Sequence, residues 1–169
     1  MNYFLDTEFS ETGGTAHPTI DLISLGLVCE DGREYYAEST EFYVRGCNPW
    51  VKENVLKHLG PKESRLTRTR IAADIVRFIG ADSRPMFWAY FADYDWVVFC
   101  WLYGGMLDLP KSFPHFCMDL RQWWEHLGTP DNVRPEKPEN QHHALADARW
   151  NLAFFNALNE YKIHAAKDI

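Results

Sequence analysis

Residues 2–9 read NYFLDTEF and residues 20–29 read IDLISLGLVC, and the fold turns on these two stretches. In the first, Tyr3 and Leu5 alternate with Phe4, the period-two pattern of a strand, and apolar side chains on both sides imply burial of both faces. The second is a longer apolar strand. Glu30-Asp31-Gly32-Arg33 has the composition of a tight hairpin turn leading to a third strand, Glu34 to Tyr43. Residues 10–18 (SETGGTAHP) are expected to loop between the first two strands. Three strands joined this closely make an antiparallel meander.

Outward from the meander the pattern becomes helical. Asn48-Pro49 suits a helix start carrying Val51, Val55, Leu56 and Leu59, with Gly60-Pro61 as its stop. Thr67 to Ile79 places Ile71, Ile75, Phe78 and Ile79 on one helical face. Pro85 to Ala89 is a short buried strand, followed by a helix from Asp93 to Leu102. Phe113 to Met118 is a further strand, followed by a helix from Leu120 to Leu127. Residues 129–140 (TPDNVRPEKPEN) hold three prolines and no apolar period, which makes them a loop, either a lid or a plain surface connection. A last helix runs from about Ala144 to Tyr161, and HAAKDI (164–169) is expected to fray. The order is α/β: a mixed sheet in which the meander is followed by alternating helices and strands, with helices packed on it.

The 169 residues suit one domain (1–169), and 46% hydrophobic and 15% aromatic residues suit a folded globule. The longest apolar run, Trp96 to Leu107, is too short to span a bilayer. No basic, apolar leader precedes Asp6. Cys29, Cys47, Cys100 and Cys117 lie far apart without a CxxC pair, the usage of reduced thiols, and the expected address is cytoplasmic. Net charge is −7, from 17 basic and 24 acidic residues. A protein gripping long nucleic acid usually carries a basic stripe. Either nucleic acid is not the partner, or few nucleotides are held and bound metal supplies positive charge.

The acids bear on that choice. Asp6 and Glu8, two apart on a strand, project from one face. A solvent-facing edge strand would explain them simply, but Tyr3, Phe4, Leu5 and Phe9 flank the pair. Buried carboxylates need counter-charge, and no nearby Lys or Arg is arranged to supply it. Asp95 stands at a helix start, where acids also serve as caps, and Asp93 competes for that place. Asp147 lies near the start of the last helix. Helical spacing pairs it with His143, while His142 reaches the same place only from the incoming loop.

Three motifs together resemble the DEDDh exonuclease superfamily, which has a ribonuclease-H-like fold. They are DTEF at Asp6 to Phe9, YFADYDWVVF at Tyr90 to Phe99, and HHALADA at His142 to Ala148. The last matches the family's H-x-A-L-x-D-A and selects His142 over His143. One departure is visible: many members carry Asn four residues before the Asp of the second motif, where this chain has Phe91. DTEFSETG, NPWVKENVL and WAYFADYDWVVFCWLYG also look like the polyadenylate-specific exoribonuclease AS subgroup.

The resemblance implies Asp6, Glu8, Asp95 and Asp147 as ligands of two Mg²⁺ ions, with Mn²⁺ an alternative, and His142 as general base. Asp93 is the fallback for Asp95. It further implies a homodimer that trims single-stranded RNA from the 3′ end, favours adenylate (poly(A)) and releases nucleoside 5′-monophosphates. Rival readings are an oligoribonuclease, a nuclease of DNA ends, and a noncatalytic nucleic-acid-binding module. The module should lack an acid or the base, and here every position is filled. Most of the seven Trp are expected in the core. Phe9 and Trp50 are the candidates for touching the terminal nucleotides, since aromatic rings stack on single-stranded bases.

Overall fold

The computed structural model describes residues 1–165. A five-stranded sheet runs in the order β3-β2-β1-β4-β5. Strands β1 (Asn2–Thr12), β2 (Thr19–Cys29) and β3 (Glu34–Glu38) form the antiparallel meander. Strands β4 (Met86–Ala89) and β5 (Met118–Asp119) extend the other edge in parallel. The helices are α1 (Pro49–Asn54), α2 (Arg68–Ile79), α3 (Ala92–Trp101), α4 (Leu120–His126) and α5 (Ala144–Ala165). The expected mixed α/β architecture is present.

Alternation along β1 sorts the layers. Tyr3 and Leu5 enter a core shared with Ile71 and Ile75 of α2 and Phe99 of α3. Phe4 points the other way and packs with Val28 and with Ala148 of α5. Tyr3, Phe4 and Leu5 are all fully buried, as a strand covered on both faces requires. By the same period, Asp6 and Glu8 share the face of Phe4, the face that α5 covers.

Several boundaries differ from the sequence reading. β1 continues through Thr12, with a register shift between Glu8 and Phe9, so the first loop shrinks to residues 13–18. β3 stops at Glu38 rather than Tyr43, because the backbone of Thr40 turns to the segment around Leu66. The first helix ends at Asn54, and a tighter 3₁₀ turn, Leu56–His58, completes the stretch. The strand expected at Phe113 to Met118 is only Met118–Asp119. Pro114 has no N–H to give a ladder, and Phe113 instead closes a turn onto Pro110. Helix α5 carries on through His164 and Ala165, which were expected to fray; residues 166–169 lie outside the described residues.

All four cysteines are free, and Cys29, Cys47 and Cys100 are buried. Among the described residues no helix is long and apolar enough to cross a membrane.

Candidate active site

The parallel strands part early. β1 pairs with β4 only as far as Phe4 and Trp88, so beyond Phe4 one side of β1 has no strand against it. Its backbone must find other partners. The amide side group of Asn151, buried on α5, donates to the Leu5 carbonyl at 2.8 Å. The Thr7 N–H and hydroxyl both donate to Asp95 Oδ1, at 2.7 and 2.6 Å. A cleft of about 270 Å³ opens here, beside the middle of β1 and past the carboxyl end of β4, and the ends of parallel strands are where open α/β sheets commonly bind ligands. A larger cavity of about 540 Å³ lies between α4 and α5, lined by Trp88, Trp123 and Phe155, but the acidic cluster is not in it.

Asp6, Glu8 and Asp147 converge on the smaller cleft, with carboxylate oxygens within 4.8 Å of one another. Two come from alternate positions of β1 and the third from the first turn of α5. What lets α5 come so close is Gly26, the residue opposite Asp6 on β2. A Cβ there would sit 2.4 Å from the Ala144 carbonyl oxygen and 2.5 Å from the Leu145 nitrogen. Glycine in a strand interior marks this kind of close backbone approach.

Asp95 also faces the cleft, although it stands outside the tight trio and is held by Thr7. Asp93 is exposed and turns toward a separate surface hollow beside Phe116. Of the two, the geometry brings only Asp95 to the acids. Phe91, at the position where the sequence departs from the Asn expected by resemblance, has the left-handed backbone φ 60°, ψ 53°. Asn tolerates that region better than other residues carrying a Cβ, so the departure leaves the turn intact at a conformational cost.

His142 lines the cleft from the incoming loop, in left-handed backbone with φ 65°. Its peptide N–H donates to Asp147 Oδ2 at 2.8 Å, which ties the histidine and the acid into one turn. Helix α5 begins only at Ala144, so His142 is free of the helical rotation that would have carried it away. His143 turns elsewhere and stacks on Tyr36, with ring centroids 4.6 Å apart. Trp50, half exposed on α1, meets the His142 ring edge-on at 4.7 Å. Phe9 lines the cleft and stacks nearly parallel on Tyr94, at 5.5 Å and 5°.

Crowded acids resist ionisation. Burial, then the charges of Asp95, Glu8 and Asp147, hold the Asp6 carboxyl well above its ordinary range. Burial, then Asp147 and Asp95, push Glu8 up to about 8. Burial raises Asp95 to about 7 against the lowering bonds from Thr7. In the metal-free protein these groups keep protons that the unfolded chain has already released near pH 4. Stability is therefore greatest below the unfolded values and falls as pH rises toward about 8. The thermal midpoint of metal-free protein is expected to drop by several degrees between pH 5 and pH 8. A midpoint that rises across this interval in chelator would contradict the assignment.

Residues 1–158 match the family described as Rv2179c-like, the 3'-5' exoribonuclease Rv2179c-like domain. The chain belongs to this family. Two relatives from Mycobacterium tuberculosis are each 45% identical over 163 residues, covering 94% of this chain and 93% of the relative. They are the 3'-5' exoribonuclease MT2234.1 of strain CDC 1551 / Oshkosh and the 3'-5' exoribonuclease Rv2179c of strain ATCC 25618 / H37Rv. A solved structure of exonuclease I matches with a TM-score of 0.59 over 95% of this chain and 41% of that one, at 14% identity. That likeness is one of fold, and it fits the ribonuclease-H-like expectation.

In this Rv2179c-like domain the sequence reading missed three contributors to the cleft. Gly26 carried a signal, an isolated glycine inside an apolar strand. Asn151 carried none, since an Asn on a helix says nothing of the carbonyl it will meet. Lys137 corrects the expectation that no cation is arranged near the acids: its Nζ lies 4.0 Å from Asp147 Oδ1. It comes from the proline-rich connection, where no period could place it. That connection is docked onto the protein. Val133 is buried, Trp124 Nε1 donates to the Pro130 carbonyl at 3.3 Å, and Trp150 Nε1 to that of Pro135 at 3.2 Å.

Proposed function

We propose that this chain is a divalent-metal-dependent 3′-5′ exoribonuclease that removes nucleoside 5′-monophosphates from single-stranded RNA ends. The observation that carries the reading is the convergence of Asp6, Glu8 and Asp147 within 4.8 Å, in a family whose curated relatives are named 3'-5' exoribonucleases. Acids this buried and this close fit a cation: their raised affinities for protons mark charge that the cleft itself does not neutralise. An all-oxygen donor set suits Mg²⁺ or Mn²⁺ better than zinc. Asp6, Glu8 and Asp147 would hold the ions, with Asp95 completing the set.

When bound, two such ions supply Lewis-acid stabilisation of the attacking and leaving oxygens of an in-line displacement. His142 takes the proton of the attacking water on its imidazole. Asp147 holds the His142 peptide, and Trp50 borders the ring. The oxygen that leaves is the 3′ oxygen of the penultimate nucleotide. The cleft of about 270 Å³ is at the small end of ligand pockets and suits one terminal nucleotide, flanked by Phe9 and Tyr94. A duplex would not enter it.

The test is incubation of the purified protein with end-labelled oligo(A), oligo(C), oligo(U) and oligo(dA), with Mg²⁺, Mn²⁺ or chelator. Stepwise shortening of RNA with metal and none with chelator is the expected result. Cleavage of no oligonucleotide under any metal condition overturns the reading. The likeness to the AS subgroup supports faster loss of oligo(A), and equal rates on every RNA would remove that preference alone. Predominant cleavage of oligo(dA) would favour a nuclease of DNA ends, and activity confined to the shortest RNAs an oligoribonuclease.

His142→Ala is expected to lower the rate of cleavage about 10²–10⁴-fold, the usual worth of general base catalysis, with metal binding retained. His143→Ala should change it far less. The reverse order in steady-state rates would reassign the base. The homodimer and the cytoplasmic address complete the reading. Exposed apolar Val97 and Trp101 on α3, with Phe116 beside Val97, support the first, and sedimentation velocity tests it. The four free thiols accord with the second.

A further inference from the structure

Among the described residues, Lys137 is the only lysine or arginine lining the acidic cleft. Its Nζ sits 3.6 Å from the centre of the Trp150 ring and 5.1 Å from that of Tyr90, so its stem and charge rest on aromatic faces. The docked connection that carries it fixes where the ammonium can reach. The ammonium's contact with Asp147, at 4.0 Å, is too long for a hydrogen bond. No hydrogen bond from this side chain is present among the described residues, although an ammonium has three donors to give. A partly buried cation has thus been brought to the cleft with its donors unspent.

Charge balance says what would use them. Four carboxylates and two divalent cations cancel. The scissile phosphodiester then adds a negative charge, and its transition state adds more. A chain of net charge −7 offers no broad basic surface to offset it, so the compensation must be local. Asp147 would be held by metal in the loaded site, and its pull on the ammonium would then be largely spent. We propose that Lys137 binds the phosphate of the terminal nucleotide through its Nζ, as a substrate-contacting residue additional to the acids and the base. This rests on the nuclease reading above.

The alternative is that Lys137 only balances Asp147 or clamps its loop against Trp150. Lys137→Met keeps the stem on the rings and removes the charge, while Lys137→Arg keeps the charge. Binding of adenosine 5′-monophosphate to wild type and both variants is measured by calorimetry with Mg²⁺. The rise in thermal midpoint caused by Mg²⁺ serves as a check on the metal site. The expected result is a loss of about ten-fold or more in affinity for Lys137→Met, the scale of one charge-assisted hydrogen bond. Lys137→Arg should stay within a few-fold of wild type, and both variants should keep the Mg²⁺-dependent rise. Unchanged affinity in Lys137→Met overturns the proposal. So does an equal loss in both variants, or disappearance of the Mg²⁺-dependent rise in Lys137→Met. If wild type shortens RNA while any of these occurs, the lysine assignment falls and the nuclease reading stands. If wild type neither shortens RNA nor binds the monophosphate, both fall.

Discussion

Asp6→Asn is expected to lower RNA cleavage at least about a thousand-fold, which corresponds to ~4 kcal/mol of transition-state stabilisation. The size follows from position. Asp6 sits at the middle of the cluster, its carboxyl raised by burial and by Asp95, Glu8 and Asp147 together. An amide in its place removes a charge that a divalent cation needs and cannot restore it. The same change should leave the metal-free fold unharmed or better off, because it removes a carboxyl whose ionisation burial and its acidic neighbours oppose. Two measurements separate these effects. The Mg²⁺-dependent rise in thermal midpoint should shrink or vanish, while the midpoint in chelator should not fall. An Asp6→Asn protein that cleaves RNA at the wild-type rate would show that Asp6 is no ligand. One that fails to fold in chelator would show that its carboxyl serves structure instead.

The second large effect is expected from a residue with no chemistry of its own. Gly26→Ala introduces a Cβ 2.4 Å from the Ala144 carbonyl oxygen and 2.5 Å from the Ala144 carbonyl carbon and the Leu145 nitrogen. These are backbone atoms, and no rotamer change can clear them. The first turn of α5 must retreat from β2, taking with it Asp147 and the peptide bond from His142. Overpacking of this kind typically costs about 1–3 kcal/mol of stability. The cost in catalysis is larger, since displacing a reacting group by about 1 Å can lose 10²-fold in rate. Urea denaturation and steady-state cleavage should therefore show a modest fall in stability beside a loss of 10²-fold or more in activity. Wild-type activity with wild-type Mg²⁺ affinity would mean that α5 can slide without disturbing the acids.

These two positions also show what could be read in advance. The place of Asp6 in the cleft was legible because a strand's alternation is local: DTEF carries its own geometry, and the flanking rings announce burial. The place of His142 beside Asp147 was legible through HHALADA, even though helical spacing alone favoured His143. The structure supplies the reason, a helix that starts only at Ala144. The meander was legible from apolar runs separated by a tight turn. What failed was set by contacts that leave no periodic trace. The end of β3 depends on where Leu66 lies, the brevity of β5 on the turn from Pro110 to Phe113, and the place of Lys137 on the Trp124 and Trp150 indoles. Leu66 is far from β3 in sequence, and the others are single aperiodic bonds in loops, so periodicity does not register them.

The early parting of β1 and β4 has a consequence outside the cleft. Beyond Phe4, β1 has a long flank without a neighbouring strand, and bare strand flanks invite pairing with other molecules. Asn151 on the Leu5 carbonyl and Asp95 on the Thr7 N–H occupy that flank. A molecule stripped of these two side chains would expose backbone that can template sheet growth, so its failure would show first as turbidity in a concentrated sample. In this position a polar side chain acts as a stopper against self-association.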